Sequence, residues 1–171
     1  MLLIEQSRFE LAEQELRQAL SDSPDDAMTH ALLAICLTHL DNHGVAMREA
    51  ELALGFDPEL PFVYYAKSVV EAARNCFDDA EASIREAIGQ DPYVPEYFAQ
   101  LARIHLEQRS WQDALAAAEQ GLALDPEGVH CTNLRAIALK RLGRRAEASE
   151  AIQTALKRDP EDADSHANMG W

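Results

Sequence analysis

Basic residues are scarce in this sequence: 15 Lys and Arg stand against 30 Asp and Glu in 171 residues, a formal charge of −15. A chain of that sign is a poor match for phosphodiester backbones, whose binding depends on Lys and Arg neutralising phosphates. It is equally ill suited to anionic membrane surfaces. Nucleic acid is therefore not an expected partner. Long apolar runs are missing as well, and none approaches the roughly 18 to 20 residues of a membrane span. The opening Met1-Leu2-Leu3-Ile4-Glu5-Gln6 has neither the basic start nor the apolar length of a secretory signal. Cysteine is limited to Cys36, Cys76 and Cys131, an odd number without a Cys-x-x-Cys. That argues for reduced, interior thiols rather than a disulfide framework or a zinc site. The glycines are scattered singly, so no phosphate-cradling loop is present, and no Ser/His/Asp or Cys/His constellation stands out. No enzymatic activity, cofactor or metal is expected. Apolar residues are plentiful at 47 % of the chain, too many for a disordered acidic tail. The composition reads as a soluble, acidic, cytoplasmic protein with a core.

The prolines show how the chain is organised. Pro24, Pro58, Pro92, Pro126 and Pro160 are each 34 residues apart, and Pro61 and Pro95 are separated by 34 as well. Asp precedes four of the first set, at Asp57, Asp91, Asp125 and Asp159. Other columns obey the same grid. Ala12, Ala46, Ala80, Ala114 and Ala148 form one small-residue column; Ala19, Ala53, Ala87, Gly121 and Ala155 form a second; Ala34, Ser68, Ala102, Ala136 and Gly170 form a third. Large residues recur at Phe9, Phe77 and Trp111, with His43 and Arg145 filling that column elsewhere.

Within each period the apolar spacing is helical, as in Ala46, Ala50, Ala53 and Leu54, with no strand-like alternation. Two helices fit per unit, for example Pro95 to Gln108 and Trp111 to Leu124. Proline at 61 and 95 suits a first helical turn, where its missing N–H is an orphan in any case. The Asp-Pro at each repeat end breaks the outgoing helix, because the residue before proline is pushed out of helical geometry. Small columns let helix axes approach closely. The expected fold is all-α, a right-handed superhelical solenoid of stacked helical hairpins.

These features together resemble the tetratricopeptide repeat, and the resemblance runs over essentially the whole chain. Some positions depart from the pattern. The large residue early in the first helix is Tyr64 or Phe98, but His30, Thr132 and His166 stand in that column elsewhere. Lys67 and Arg135 replace the leucine found at Leu33 and Leu101. A pentatricopeptide array would need a 35-residue period and a basic groove, and neither is present. The grid divides a single array, 1–171, into a partial repeat at 1–26, full repeats at 27–60, 61–94, 95–128 and 129–162, and the start of another at 163–171. Half-helices at Met1 to Gln6 and Asp162 to Trp171 read as cut ends of a longer array, whose apolar edges would favour self-association.

The resemblance implies a protein-interaction scaffold in which the first helix of each pair lines a concave groove holding a peptide or helix of a partner. Transferred residue by residue, the groove positions are Met28, Ala31, Leu32 and Ile35, then Phe62, Tyr65, Ala66 and Val69. Glu96, Ala99, Gln100 and Arg103 follow, then His130, Asn133, Ile137, Lys140 and Arg141. One end is apolar and the other polar and basic. The implied partner is a peptide with apolar anchors and an acidic group or carboxylate, the latter held by Arg103, Asn133 and Lys140. The carboxylate clamp of chaperone adaptors in this family is not matched in either repeat frame tried. The alternatives are a regulatory or assembly segment of a longer enzyme or membrane-anchored protein, or a module for homo-oligomerisation. Glu71 and His105 stand in the same column one repeat apart, so a Glu71–His105 pair is expected, with Lys67, one helical turn before Glu71, as further support. His39, Asp41 and His43 have metal-like spacing, but Asp41-Asn42-His43-Gly44 reads as an inter-helix turn. The net charge is also unevenly spread: residues 129–162 carry +2, with seven basic residues, while every other segment of the grid is negative.

Overall fold

The computed structural model describes residues 8–158, so the expected terminal half-helices, Asp159-Pro160, His166 and Gly170 lie outside the described residues. It forms two compact units, residues 1–92 and 93–171. The first contains α1 (Phe9–Asp22), α2 (Ala27–His39), α3 (His43–Phe56), α4 (Pro61–Ala73) and α5 (Phe77–Gln90). The second contains α6 (Pro95–Glu107), α7 (Trp111–Leu124), α8 (Val129–Arg141) and α9 (Arg145–Arg158). No strand occurs among the described residues. In each unit the helices pair as antiparallel hairpins, α2 with α3 and α4 with α5, then α6 with α7 and α8 with α9. Successive first helices also touch, α2 with α4 and α6 with α8.

The two recurring turns have different chemistry. After each second helix, Asp57, Asp91 and Asp125 adopt extended backbone, with φ of −144°, −136° and −127°. This is the conformation that the following proline imposes. The Asp57 carboxylate accepts from the Glu59 N–H at 3.1 Å and the Asp125 carboxylate from the Glu127 N–H at 3.0 Å. The aspartate therefore closes the turn that proline opens. Pro61 and Pro95 then start α4 and α6 at the first helical position, as their place in the grid predicts.

The turn inside each hairpin rests on a column the sequence reading did not single out. Asp41, Asn75, Arg109 and Gly143, each 34 residues apart, all have left-handed backbone with φ between 57° and 80°. The next amide reaches back to the helix: Asn42 to Leu37, Cys76 to Glu71, Ser110 to His105 and Arg144 to Leu139, at 2.8–2.9 Å. This left-handed stop is compact enough that α3 begins at His43, so the expected four-residue turn at 41–44 is shorter than its sequence indicates. Asn75 and Gly143 suit that backbone, whereas Arg109 adopts it at a steric cost.

The small columns are the packing surfaces. Ala46, Ala80, Ala114 and Ala148 are fully buried, as are Ala34, Ser68, Ala102 and Ala136. In the second column Ala53 and Ala87 are buried, while Ala19 is exposed. Gly121 is a special member of that column. A Cβ there would lie 2.5 Å from Cys131 Sγ and 3.4 Å from both Phe98 Cβ and the Pro95 carbonyl oxygen. Cysteine thus occupies the volume that alanine uses elsewhere. Gly121→Ala is expected to destabilise the second unit by about 1–2 kcal/mol, overpacking outweighing the helix propensity gained. In a Cys131→Ala background the same change should stabilise by about 0.5–1 kcal/mol. A double-mutant cycle followed by denaturant unfolding checks that reversal of sign.

Candidate functional site

In the first unit, α2 and α4 lie side by side and present the expected apolar positions. Met28, Leu32 and Ile35 share one face of α2, being spaced by four and three residues; Phe62, Tyr65 and Val69 share one face of α4. Met28 is 37 % exposed, and the other five are half-buried. Ile35 and Phe62 rest on the cluster formed by Ala27, Ala31, Ala53, Val63 and Ala66. The Phe62 and Tyr65 rings lie 5.5 Å apart at 36°. Ala31 and Ala66 are completely buried and serve as the floor. The result is a supported apolar strip with an aromatic pair, in a unit whose residues 1–92 carry a charge of −12.

The expected polar positions lie in the second unit, on α6 and α8. Arg103 is exposed and donates through Nε and Nη2 to Gln100 Oε1, at 3.1 and 2.6 Å. Gln100 is only 1 % exposed, and its Nε2 has no hydrogen-bond partner. Asn133 is also buried. Gln100 and Asn133 therefore lie beneath the surface rather than on it, because α6 and α8 pack against each other along that line. His130 and Arg141 are exposed, and Ile137 and Lys140 are half-buried. The Arg141 guanidinium lies 5.6 Å from the centre of the Trp111 ring. A matching contact occurs in the first unit, where Phe9 stacks on His39 at 4.3 Å. In both cases the first residue of a second helix meets the last residue of the next first helix.

Two polar networks occupy positions where the sequence departs from the repeat pattern, around half-buried Lys67 and buried His30. Lys67 Nζ lies 2.6 Å from Glu71 Oε1 and 3.2 Å from Ser83 Oγ, and Ser83 donates to Glu71 Oε2 at 2.7 Å. Glu71 is 4 % exposed. The expected support from Lys67 is present, and Ser83 on α5 completes it. At the other departure, His30 has Glu49 Oε2 at 2.7 Å from Nδ1 and the Pro24 carbonyl at 2.9 Å from Nε2. The Phe56 ring stacks on it at 5.3 Å. Arg135, in the same column as Lys67, has a looser setting. Its Nε is 3.6 Å from Glu119 Oε1, and it borders an open notch of about 320 Å³ shared with Thr132, Glu147, Glu150 and Thr154.

The thiols are packing groups. Cys36 and Cys131 are buried, while Cys76 is half-buried at the start of α5. Burial, followed by the charges of Glu96 and Asp125, pushes the Cys131 thiol up to about 11. Burial and the Glu13 charge also raise Cys36. Among the described residues no group of His, Cys, Asp and Glu is placed to hold a metal ion. His43 Nε2 is 3.8 Å from Asp41 Oδ1, while His39 is stacked on Phe9. No described helix is long and apolar enough to cross a membrane.

Antiparallel helical hairpins repeating every 34 residues, with buried small columns and Asp-Pro turns, define an all-α solenoid of the hairpin-repeat class. Solved structures of that class superpose on the chain. The thermophilic TPR protein TTC0263 of Thermus thermophilus is 20 % identical, with a TM-score of 0.89, covering 97 % of this chain and 91 % of that one. PilF of Pseudomonas aeruginosa is 22 % identical with a TM-score of 0.77, covering 97 % and 76 %. YrrB, described as a TPR protein with an unusual peptide-binding site, is 19 % identical with a TM-score of 0.66, covering 91 % and 80 %. No curated protein matches in sequence. The tetratricopeptide repeat family matches residues 1–61, 65–129 and 101–169. The chain belongs to the tetratricopeptide repeat family, whose fold serves in general as a protein-interaction scaffold.

Proposed function

We propose that this protein captures a peptide or helical segment of a partner protein on the exposed faces of its first helices. Apolar anchors of the partner would pack on Met28, Leu32, Ile35, Phe62, Tyr65 and Val69, and an acidic group would meet Arg103 and Lys140. The observation that carries this reading is the apolar strip of the first unit. Half-buried aliphatic side chains around an aromatic pair, in an otherwise strongly acidic unit, form the kind of patch that marks interaction sites. Tyr65 is the expected anchor point, since tyrosine is enriched among residues that dominate binding energy.

Selection of peptides from a random library on the full chain tests this. Selected peptides should carry apolar anchors, and Tyr65→Ala should weaken their binding by about tenfold or more. Arg103→Glu should further disfavour those that also carry Asp or Glu. If selected peptides bind Tyr65→Ala and Arg103→Glu as tightly as the parent, the first-helix faces are not the site.

A further inference from the structure

We infer that the α8–α9 turn, carrying Lys140, Arg141 and Arg145, is a docking surface for an acidic segment of the partner protein. Lys140 and Arg141 end α8, and Arg145 begins α9. The left-handed Gly143 closes the turn, with its N–H bonded to the Lys140 carbonyl at 3.0 Å and the Arg144 N–H bonded to Leu139 at 2.9 Å. This brings the cations from two helices to one edge of the hairpin. Arg144 Nε and Nη2 donate to the two carboxylate oxygens of Glu147 at 2.7 and 2.6 Å.

Helix stability does not explain the cluster. Lys140 and Arg141 favour the negative end of the α8 dipole, but Arg145 sits at the positive end of α9, where a cation is unfavourable. The like charges also act on one another. Burial, followed by Arg141 and Arg145, holds the Lys140 ammonium below its usual range. Trp111 beneath Arg141 holds that guanidinium in place, so part of the ordering cost of binding is already met. An anion would relieve the repulsion. Column position alone did not disclose this role: Arg145 stands where Phe9, Phe77 and Trp111 are found, and it is exposed.

Charge selects the occupant. Residues 129–162 are the one positive segment of a chain of −15, and residues 95–128 of the same unit carry −4. A bilayer or a nucleic acid extends well beyond the Debye length of about 8 Å and meets that acidic surface. A short stretch of Asp and Glu in a partner protein can stay on the cluster. The inference deepens the scaffold reading and rests on it for the partner being a protein, but not on the Tyr65 strip.

Fluorescence anisotropy of the full chain with fluorescein-labelled octaglutamate tests it, with octaglutamine as the neutral control. Octaglutamate should bind about tenfold or more tightly than octaglutamine, and binding should weaken from about 50 to 150 mM NaCl. Lys140→Glu/Arg145→Glu should reduce affinity by about tenfold or more, while Arg74→Glu in the first unit changes it by less than about twofold. Trp111→Leu should weaken binding through Arg141, with circular dichroism confirming that each variant remains helical. Tyr65→Ala should leave octaglutamate binding unchanged, so failure of the strip and failure of this surface are told apart. Equal binding of the two peptides, or full retention in the double charge reversal, overturns the inference. So does preferential binding to phosphatidylserine vesicles, or self-association of the free chain that the double reversal abolishes.

Discussion

Replacing Glu71 with alanine is expected to destabilise the first unit by about 3–5 kcal/mol, because it leaves a cation beside a nearly closed core without its counter-charge. Lys67 and Ser83 both depend on the Glu71 carboxylate, at 2.6 and 2.7 Å. Ser83 is itself buried and would lose its acceptor. Removing both charges has the opposite logic. Lys67→Leu/Glu71→Leu restores at position 67 the residue type seen at Leu33 and Leu101. Combined with Ser83→Ala, which removes the hydroxyl that would otherwise be stranded, it is expected to fall within about 1 kcal/mol of the parent, since apolar replacement of a buried pair is often neutral or better. Hydrogen exchange at the amides of α4 and α5 is the right measurement, because repeat arrays open locally as well as globally. A Glu71→Ala loss below about 1 kcal/mol would show that the group is solvated in solution.

His30→Ala should cost about 3 kcal/mol, read at the amides of α2 and α3. His30 is 6 % exposed and links three pieces of chain: the Pro24 turn, its own helix α2 and Glu49 on α3. A carboxylate oxygen lies within hydrogen-bond distance of one ring nitrogen and a carbonyl oxygen of the other, so both polar atoms of the ring are engaged. The substitution removes both bonds and the Phe56 stacking together. His30→Phe supplies the ring found at Phe98 in the same column but still strands Glu49. Its loss should be intermediate, and adding Glu49→Leu should recover most of it. Equal losses for His30→Ala and His30→Phe would assign the effect to the polar bonds alone.

Both networks occupy positions that the repeat pattern treats as departures. A periodic reading says that Lys67 and His30 are unusual there, but it cannot say what meets them. Ser83 is 16 residues from Lys67, and Glu49 is 19 from His30. Those partners follow from hairpin packing rather than local spacing. Arg103 and Gln100 are different, being three residues apart on one helix. Their proximity is legible from sequence, yet the burial of Gln100 is not, since it depends on α8 lying alongside α6.

The amino-acid sequence by itself determined the 34-residue period, the two helices per period, the Asp-Pro boundaries and the small-residue columns. Each arises from local backbone chemistry or helix register, repeated along the chain. It also determined that acidic charge dominates and that positive charge collects in residues 129–162. Only the tertiary structure decided what those residues do. It placed Gln100 and Asn133 beneath the surface, tied Arg141 to Trp111, and gave Lys67 a buried carboxylate at 2.6 Å while leaving Arg135 with a looser contact beside an open notch. The physical reason is that burial, hydrogen-bond partners and local field depend on neighbouring helices, and identical columns meet different neighbours in different repeats.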